Sequence, residues 1–188
     1  MKKIKILLVD DHKLVRNGIK YTLESGGISN RISEIHEAVN GEEAIKKSLI
    51  SNYDIIFMDI NMPEKDGIKA TKEIVKHDKF TKIIALSMFD EDFEIRSMIK
   101  AGASGYLRKN TGPEILEEAI NTVLNGGKYY SNDVAIKLMT PYNETTLDQE
   151  KIKRASISKT ENILSKRELE VLTLIASESA YFTELRIG

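Results

Sequence analysis

Apolar runs recur along this chain, and each ends on a polar residue with chemical use. Ile4 to Val9 runs into Asp10-Asp11, Asp54 to Met58 into Asp59, Lys82 to Leu86 into Ser87, and the short Gly105-Tyr106-Leu107 leads to Lys109. Runs this short and continuous predict central strands of a parallel sheet, buried on both faces. Ser33 to Ala38 alternates more and predicts an edge strand. Between them, apolar or small residues recur at helical spacing, first at Leu14, Val15, Gly18, Ile19, Thr22 and Leu23, then at Ala44, Ile45, Ser48 and Leu49. This alternation, from Ile4 to about Gly126, predicts an α/β domain with helices on both faces of its sheet. Open parallel sheets bind ligands beyond the carboxyl ends of their strands. The residues that close the runs are therefore expected to meet in one acidic pocket.

The most legible helix follows Lys109. Thr111 and Glu114 are spaced as a capping box, Pro113 falls in the first turn, and Ile115, Leu116, Ala119, Ile120, Val123 and Leu124 form one stripe that Asn125-Gly126-Gly127 ends. From there to about Thr160 polar residues dominate, which predicts a linker over 127–160. Helical periodicity returns from Leu164 to Ala176.

The chain has 188 residues, of which 41% are hydrophobic, enough for a sizeable core. Its 28 basic and 29 acidic side chains leave a formal net charge of -1, so no overall field draws it to nucleic acid or to a membrane. Cysteine is absent, which excludes disulfides, thiolate metal sites and cysteine nucleophiles. The apolar run after Met1-Lys2-Lys3 stops at two aspartates, far short of a secretory core, so a cytoplasmic protein without membrane contact is expected.

Taken singly, Asp11 is a helix cap, Lys109 a solvated lysine and Ser87 a turn residue. Together they point elsewhere. Carboxylates at neighbouring strand ends repel by roughly 4 kcal/mol at 4 Å in an effective dielectric near 20, and such a cluster invites a cation. All-oxygen ligands suit Mg²⁺, which keeps several waters and commonly shares a phosphoryl oxygen. Asp59 could then attack a phosphoryl donor, with Lys109 offsetting charge and Ser87 donating a hydrogen bond to the product. Tyr106 is balanced between ordinary packing and a ring that changes exposure, while His12, His36 and His77 read as surface or packing residues. No dinucleotide fingerprint or phosphate loop is present.

Leu8-Val9-Asp10-Asp11, Phe57-Met58-Asp59-Ile60-Asn61-Met62-Pro63, Asp66-Gly67, Ala85-Leu86-Ser87 and Gly105-Tyr106-Leu107-Arg108-Lys109 closely resemble a response-regulator receiver domain over residues 1–126. The resemblance implies a doubly wound, flavodoxin-like sheet of five parallel strands in the order 2-1-3-4-5. It also implies a phosphoryl group accepted on Asp59 from a sensor histidine kinase, and Mg²⁺ held by Asp10, Asp11, Asp59 and the Asn61 carbonyl. Ser87, Tyr106 and Lys109 would carry the switch. Gly105-Tyr106-Leu107-Arg108-Lys109-Asn110 looks like the NarL/FixJ subfamily, whose output is a LuxR-type helix-turn-helix. Leu164 to Ala176 is similar to the opening of that DNA-binding domain, but Ser177 to Gly188 does not match its continuation. Residues 161–188 are accordingly read as an incomplete helix-turn-helix, with DNA a partner in the family pattern and doubtful for this chain.

The expected function is a two-component response regulator that controls transcription, a phosphoacceptor rather than an enzyme, with slow autodephosphorylation and a phosphorylation-dependent homodimer as further expectations. A receiver that acts only by protein contact is one alternative. Another is a hydrolase of the haloacid-dehalogenase kind, which needs an acid two residues after the nucleophile, where Asn61 stands.

Overall fold

The computed structural model describes residues 3–88 and 91–141. Strand β1 (Ile4–Val9) leads to helix α1 (Lys13–Ser25), and a 3-10 turn (Ser29–Arg31) leads into β2 (Ile32–Ala38) and α2 (Gly41–Ile50). There follow β3 (Ile55–Asp59), α3 (Gly67–His77), β4 (Lys82–Ser87), α4 (Asp92–Ala101), β5 (Gly105–Arg108), α5 (Pro113–Leu124), β6 (Tyr129–Tyr130) and α6 (Asn132–Met139). The sheet runs β2-β1-β3-β4-β5-β6, and every pair is parallel.

The continuous apolar runs have a direct cause. Alternate residues of a strand face opposite sides of the sheet, and both sides here are covered. Leu7, Val9, Ile56, Met58, Ile83, Ala85 and Tyr106 pack with Ala44, Ile45, Ala70, Ile74, Ile95 and Met98 from α2, α3 and α4. Ile6, Leu8, Ile55, Phe57, Ile84, Leu86 and Leu107 face the other way, onto Leu23 of α1 and Leu116, Ala119, Ile120 and Val123 of α5. The edge strand β2, with one side of its ladder unpaired, is only partly buried.

The strands and helices predicted from Ile4 to about Gly126 are present, but the sheet has a sixth strand where five were expected. Residues 129–139, read from sequence as linker, form β6 and α6. The Tyr129 N–H donates to the Ser104 carbonyl at 3.0 Å, and Val134 of α6 is fully buried. A two-residue strand and an eight-residue helix are too short for periodicity to detect. The compact unit reaches Pro141. The rest of the predicted linker and the predicted incomplete helix-turn-helix at 161–188 lie outside the described residues.

Local readings are corrected at three further points. Gly112, not Thr111, caps α5, and no side chain bonds to the cap. The Thr111 N–H instead closes a turn onto the Arg108 carbonyl at 3.1 Å, and Pro113 at the first helical position lacks an N–H that would otherwise need a partner. On α1 the stripe is displaced: Leu14 is 84% exposed while Arg16 is buried. Leu49 and Ile115, placed on buried faces by spacing, are exposed.

Candidate functional site

The parallel ladders bring the strand ends level. Val9 lies opposite Met58, Asp59 opposite Leu86, and Ser87 opposite Arg108. The Lys109 N–H then donates to the Ser87 carbonyl at 2.9 Å, which carries the lysine just past the carboxyl edge. Asp10, Asp11 and Asp59 gather there, with potential ligand atoms within 4.8 Å of one another.

Asp10 and Asp59 are 1% and 2% exposed. Lys109 Nζ lies 2.7 Å from Asp10 Oδ2 and 2.8 Å from Asp59 Oδ2, bridging the two buried carboxylates. Burial, together with the charge of Asp10, pushes the Asp59 carboxyl up to about 6 although Lys109 works against the rise. Burial also opposes the charge on Lys109, but its contacts with Asp10 and Asp59 hold its pKa above the ordinary lysine value. At pH 7 Asp59 is thus ionised by roughly ten to one, and faces a cation.

The backbone around Asp59 is tightly fixed. Its Oδ1 accepts from the Asn61 N–H at 3.3 Å, and the Gly67 N–H donates to the Ile60 carbonyl at 2.9 Å. A Cβ on Gly67 would sit 2.0 Å from the Asp59 carbonyl oxygen, so only glycine allows the start of α3 to lie against the acceptor strand. Asp66 caps that helix, accepting from the Lys69 N–H.

Sequence reasoning missed three participants. Arg16 donates to the Asp10 carbonyl and to Glu37 Oε2, both at 2.7 Å, and so braces the Asp10-Asp11 corner from α1. Glu94 is 1% exposed, and accepts from Asn61 Nδ2 at 2.8 Å and Ser87 Oγ at 3.3 Å. A charged residue on a helix ordinarily reads as surface, so neither left a signal. His12, read as a surface or packing residue, is half exposed but places Nδ1 2.8 Å from Asp11 Oδ1 and 3.3 Å from Asp10 Oδ1. Tyr106 lies fully buried, its strand position between Ala85 and Tyr130.

Three buried oxygens are each met by a single cationic or ring nitrogen, Asp10 Oδ2 and Asp59 Oδ2 by Lys109 and Asp11 Oδ1 by His12, with no further hydrogen bond to complete their lone pairs. Hard oxygen donors, close together and under-satisfied, fit a small divalent cation. Asn61 turns its side-chain amide to Glu94, so no acid stands two residues beyond Asp59 to protonate a leaving group.

A doubly wound sheet with carboxylates and a lysine gathered at its carboxyl edge defines the receiver class. Residues 6–121 match the family described as "Response regulator receiver domain". The transcriptional regulatory protein DegU of Brevibacillus brevis is 33% identical over 179 residues, 92% of this chain and 75% of that protein. The response regulator UvrY of Escherichia coli (strain K12) is 34% identical, over 92% of this chain and 73% of that protein. The oxygen regulatory protein NreC of Staphylococcus epidermidis (strain ATCC 12228 / FDA PCI 1200) is 37% identical, over 92% and 77%. Among solved structures, a LuxR-family two-component response regulator from Aurantimonas sp. SI85-9A1 superposes with a TM-score of 0.66 at 32% identity, covering 72% of this chain and 95% of that one. The receiver domain of NarL from Mycobacterium tuberculosis gives 0.60 at 24% identity, over 67% and 99%, and speaks for the fold alone. The chain belongs to the response regulators, and among them to the NarL/FixJ subfamily. It is a two-component regulator of transcription, and the hydrolase and contact-only readings give way to this one. No helix among the described residues is long and apolar enough to cross a membrane.

Proposed function

We propose that Asp59 accepts a phosphoryl group from a phosphohistidine on a sensor kinase, and that Ser87, Lys109 and Tyr106 convert that event into a change of surface. The supporting observation is the Lys109 ammonium held between Asp10 and Asp59 at 2.7 and 2.8 Å. Asp59, largely ionised at pH 7, attacks phosphorus through one carboxylate oxygen. An O–P bond forms, the P–N bond of the donor breaks, and the electron pair returns to the imidazole, which takes up a proton. Lys109 stays cationic beside the transferring oxygens, and Ser87 donates its hydroxyl to the aspartyl phosphate. Arg16 and Gly67 keep the Asp10-Asp11 corner and the Asp59 backbone in register.

Asp10, Asp11, Asp59 and the Asn61 carbonyl are the groups that would hold Mg²⁺. When bound, the ion supplies positive charge against the phosphoryl oxygens. Asp59 is regenerated only by slow loss of the group to water, so the chain is a switch without rapid turnover. Tyr106, buried beside Tyr130 of β6, lies where a shift of Ser87 would be felt by the segment that follows the receiver. A cytoplasmic site of action and homodimer formation on phosphorylation complete the proposal, while contact with DNA belongs to the full-length family pattern.

The test is incubation of the chain with Mg²⁺ and acetyl phosphate, followed by intact mass measurement. One added phosphoryl group, absent from Asp59→Asn, is expected. Equal labelling of the variant would refute the assignment.

A further inference from the structure

Glu94 is a buried acid that phosphoryl transfer to Asp59 does not use. It lies in the first turn of α4 and accepts hydrogen bonds from Asn61 Nδ2 at 2.8 Å and from Ser87 Oγ at 3.3 Å. Both donors adjoin the acceptor. The Asn61 N–H bonds Asp59 Oδ1, and the Ser87 carbonyl receives the Lys109 N–H. We infer that Glu94 is a positioning residue that holds Ser87 and Asn61 in the arrangement of the unphosphorylated site, and so limits how readily Asp59 takes and keeps a phosphoryl group. The inference rests on Asp59 being the acceptor.

Hydroxyl chemistry sets up the competition. Ser87 carries one O–H proton and donates it to one strong acceptor at a time. While Glu94 receives that proton, a phosphoryl oxygen does not. The phosphoryl group also brings about -1.5 to -2 charges into a site already lined by Asp10 and Asp11, and the Glu94 carboxylate adds to the repulsion. Both effects favour the empty site, and the larger, the competition for the hydroxyl proton, acts through Ser87.

Release of Glu94 would not stay local. A buried carboxylate that loses its partners must move or find others. Its helix also carries Arg96, which donates to the Lys137 carbonyl and, at 2.9 Å, to the Thr140 carbonyl at the end of α6. Asp92 of α4 pairs with Lys137 Nζ at 3.2 Å. Helix α4 therefore joins the acceptor site at Glu94 to the segment that leaves the receiver.

The experiment uses the full chain with Mg²⁺ and acetyl phosphate at a concentration that labels the parent partially. Occupancy is read by intact mass, lifetime after donor removal, and folding by thermal melts. Glu94→Gln is expected to raise the ratio of phosphorylated to unphosphorylated protein roughly tenfold, the factor that the loss of one charge-assisted hydrogen bond produces. Glu94→Asp, which keeps the charge but draws back from Ser87, is expected to give a smaller gain and serves if the glutamine variant does not fold. In a Ser87→Ala background most of the Glu94→Gln gain should vanish. Parental occupancy and lifetime in both Glu94 variants, a lowered melting temperature without a gain in occupancy, or a gain that persists undiminished with Ser87→Ala would each overturn the inference. A parent that takes up no phosphoryl group defeats the Asp59 reading and this inference together, whereas a labelled parent with indifferent variants defeats the inference alone.

Discussion

Replacing Asp59 by asparagine removes a charge that the metal-free fold holds at a cost. Its carboxyl is moved by burial and the neighbouring Asp10 from the ordinary 3.8 to about 6. At 1.36 kcal/mol per pH unit this is roughly 3 kcal/mol. The sign follows from proton binding: between the two values the folded chain holds a proton that the unfolded chain has lost, so stability falls as pH rises. The contribution is fully present below 3.8 and is lost as pH passes through about 6. At pH 7 without metal, Asp59→Asn is therefore expected to be more stable than the parent. The gain stays below the full 3 kcal/mol estimated above, because Lys109 gives up one of two carboxylate partners, Asp59, while keeping Asp10. A net of about 1–2 kcal/mol corresponds to a rise in melting temperature on the order of 3–8 °C for a unit of this size. The assay is denaturant unfolding of parent and variant in chelator at several pH values from 4 to 7.5. Subtracting the two curves cancels the carboxylates that do not adjoin Asp59. The difference should grow from near zero at the acid end and level off above pH 6.5, whereas a difference constant with pH, or one favouring the parent at pH 7, would refute the account of Asp59.

The same repulsion sets the response to metal. Mg²⁺ is expected to stabilise the parent, by about 2.7 kcal/mol at a hundred times its dissociation constant, and Asp11→Asn to diminish that gain; melting curves indifferent to Mg²⁺ would contradict the proposed ligand set. Gly67→Ala places a methyl 2.0 Å from the Asp59 carbonyl oxygen, so the acceptor strand or α3 must shift. A loss of roughly 1–3 kcal/mol in denaturant unfolding, with reduced phosphoryl uptake, is expected, and parental values for both would show that the close approach is dispensable.

The strand ends were legible because chemistry and periodicity coincide there. A run such as Ile55-Ile56-Phe57-Met58 can be satisfied only by cover on both faces, and that geometry places Asp59 at the carboxyl edge whatever the helices do. Asp10, Asp11 and Lys109 follow for the same reason, each one or two residues past its strand. What pattern alone could not supply was anything set by contact between distant segments. Arg16 and Glu94 read as solvent-facing charges, and their burial is explained only when α1 meets the ends of β1 and β2 and α4 meets Asn61 and Ser87. Leu14 satisfied the helical period yet stands in solvent, since period fixes which residues share a face and not how far the sheet extends to cover them. The two residues of β6 hold through the ladder beside β5, and α6 through burial of Val134 and the grip of Arg96, none of which a local window contains. Sequence by itself determined the layers, the strand ends and the acidic chemistry, because these depend on side-chain type and spacing. Tertiary structure alone decided which charges are buried, which carboxylates Lys109 bridges, and that Ser87 faces Glu94, because such pairings are made across gaps in sequence that no period spans.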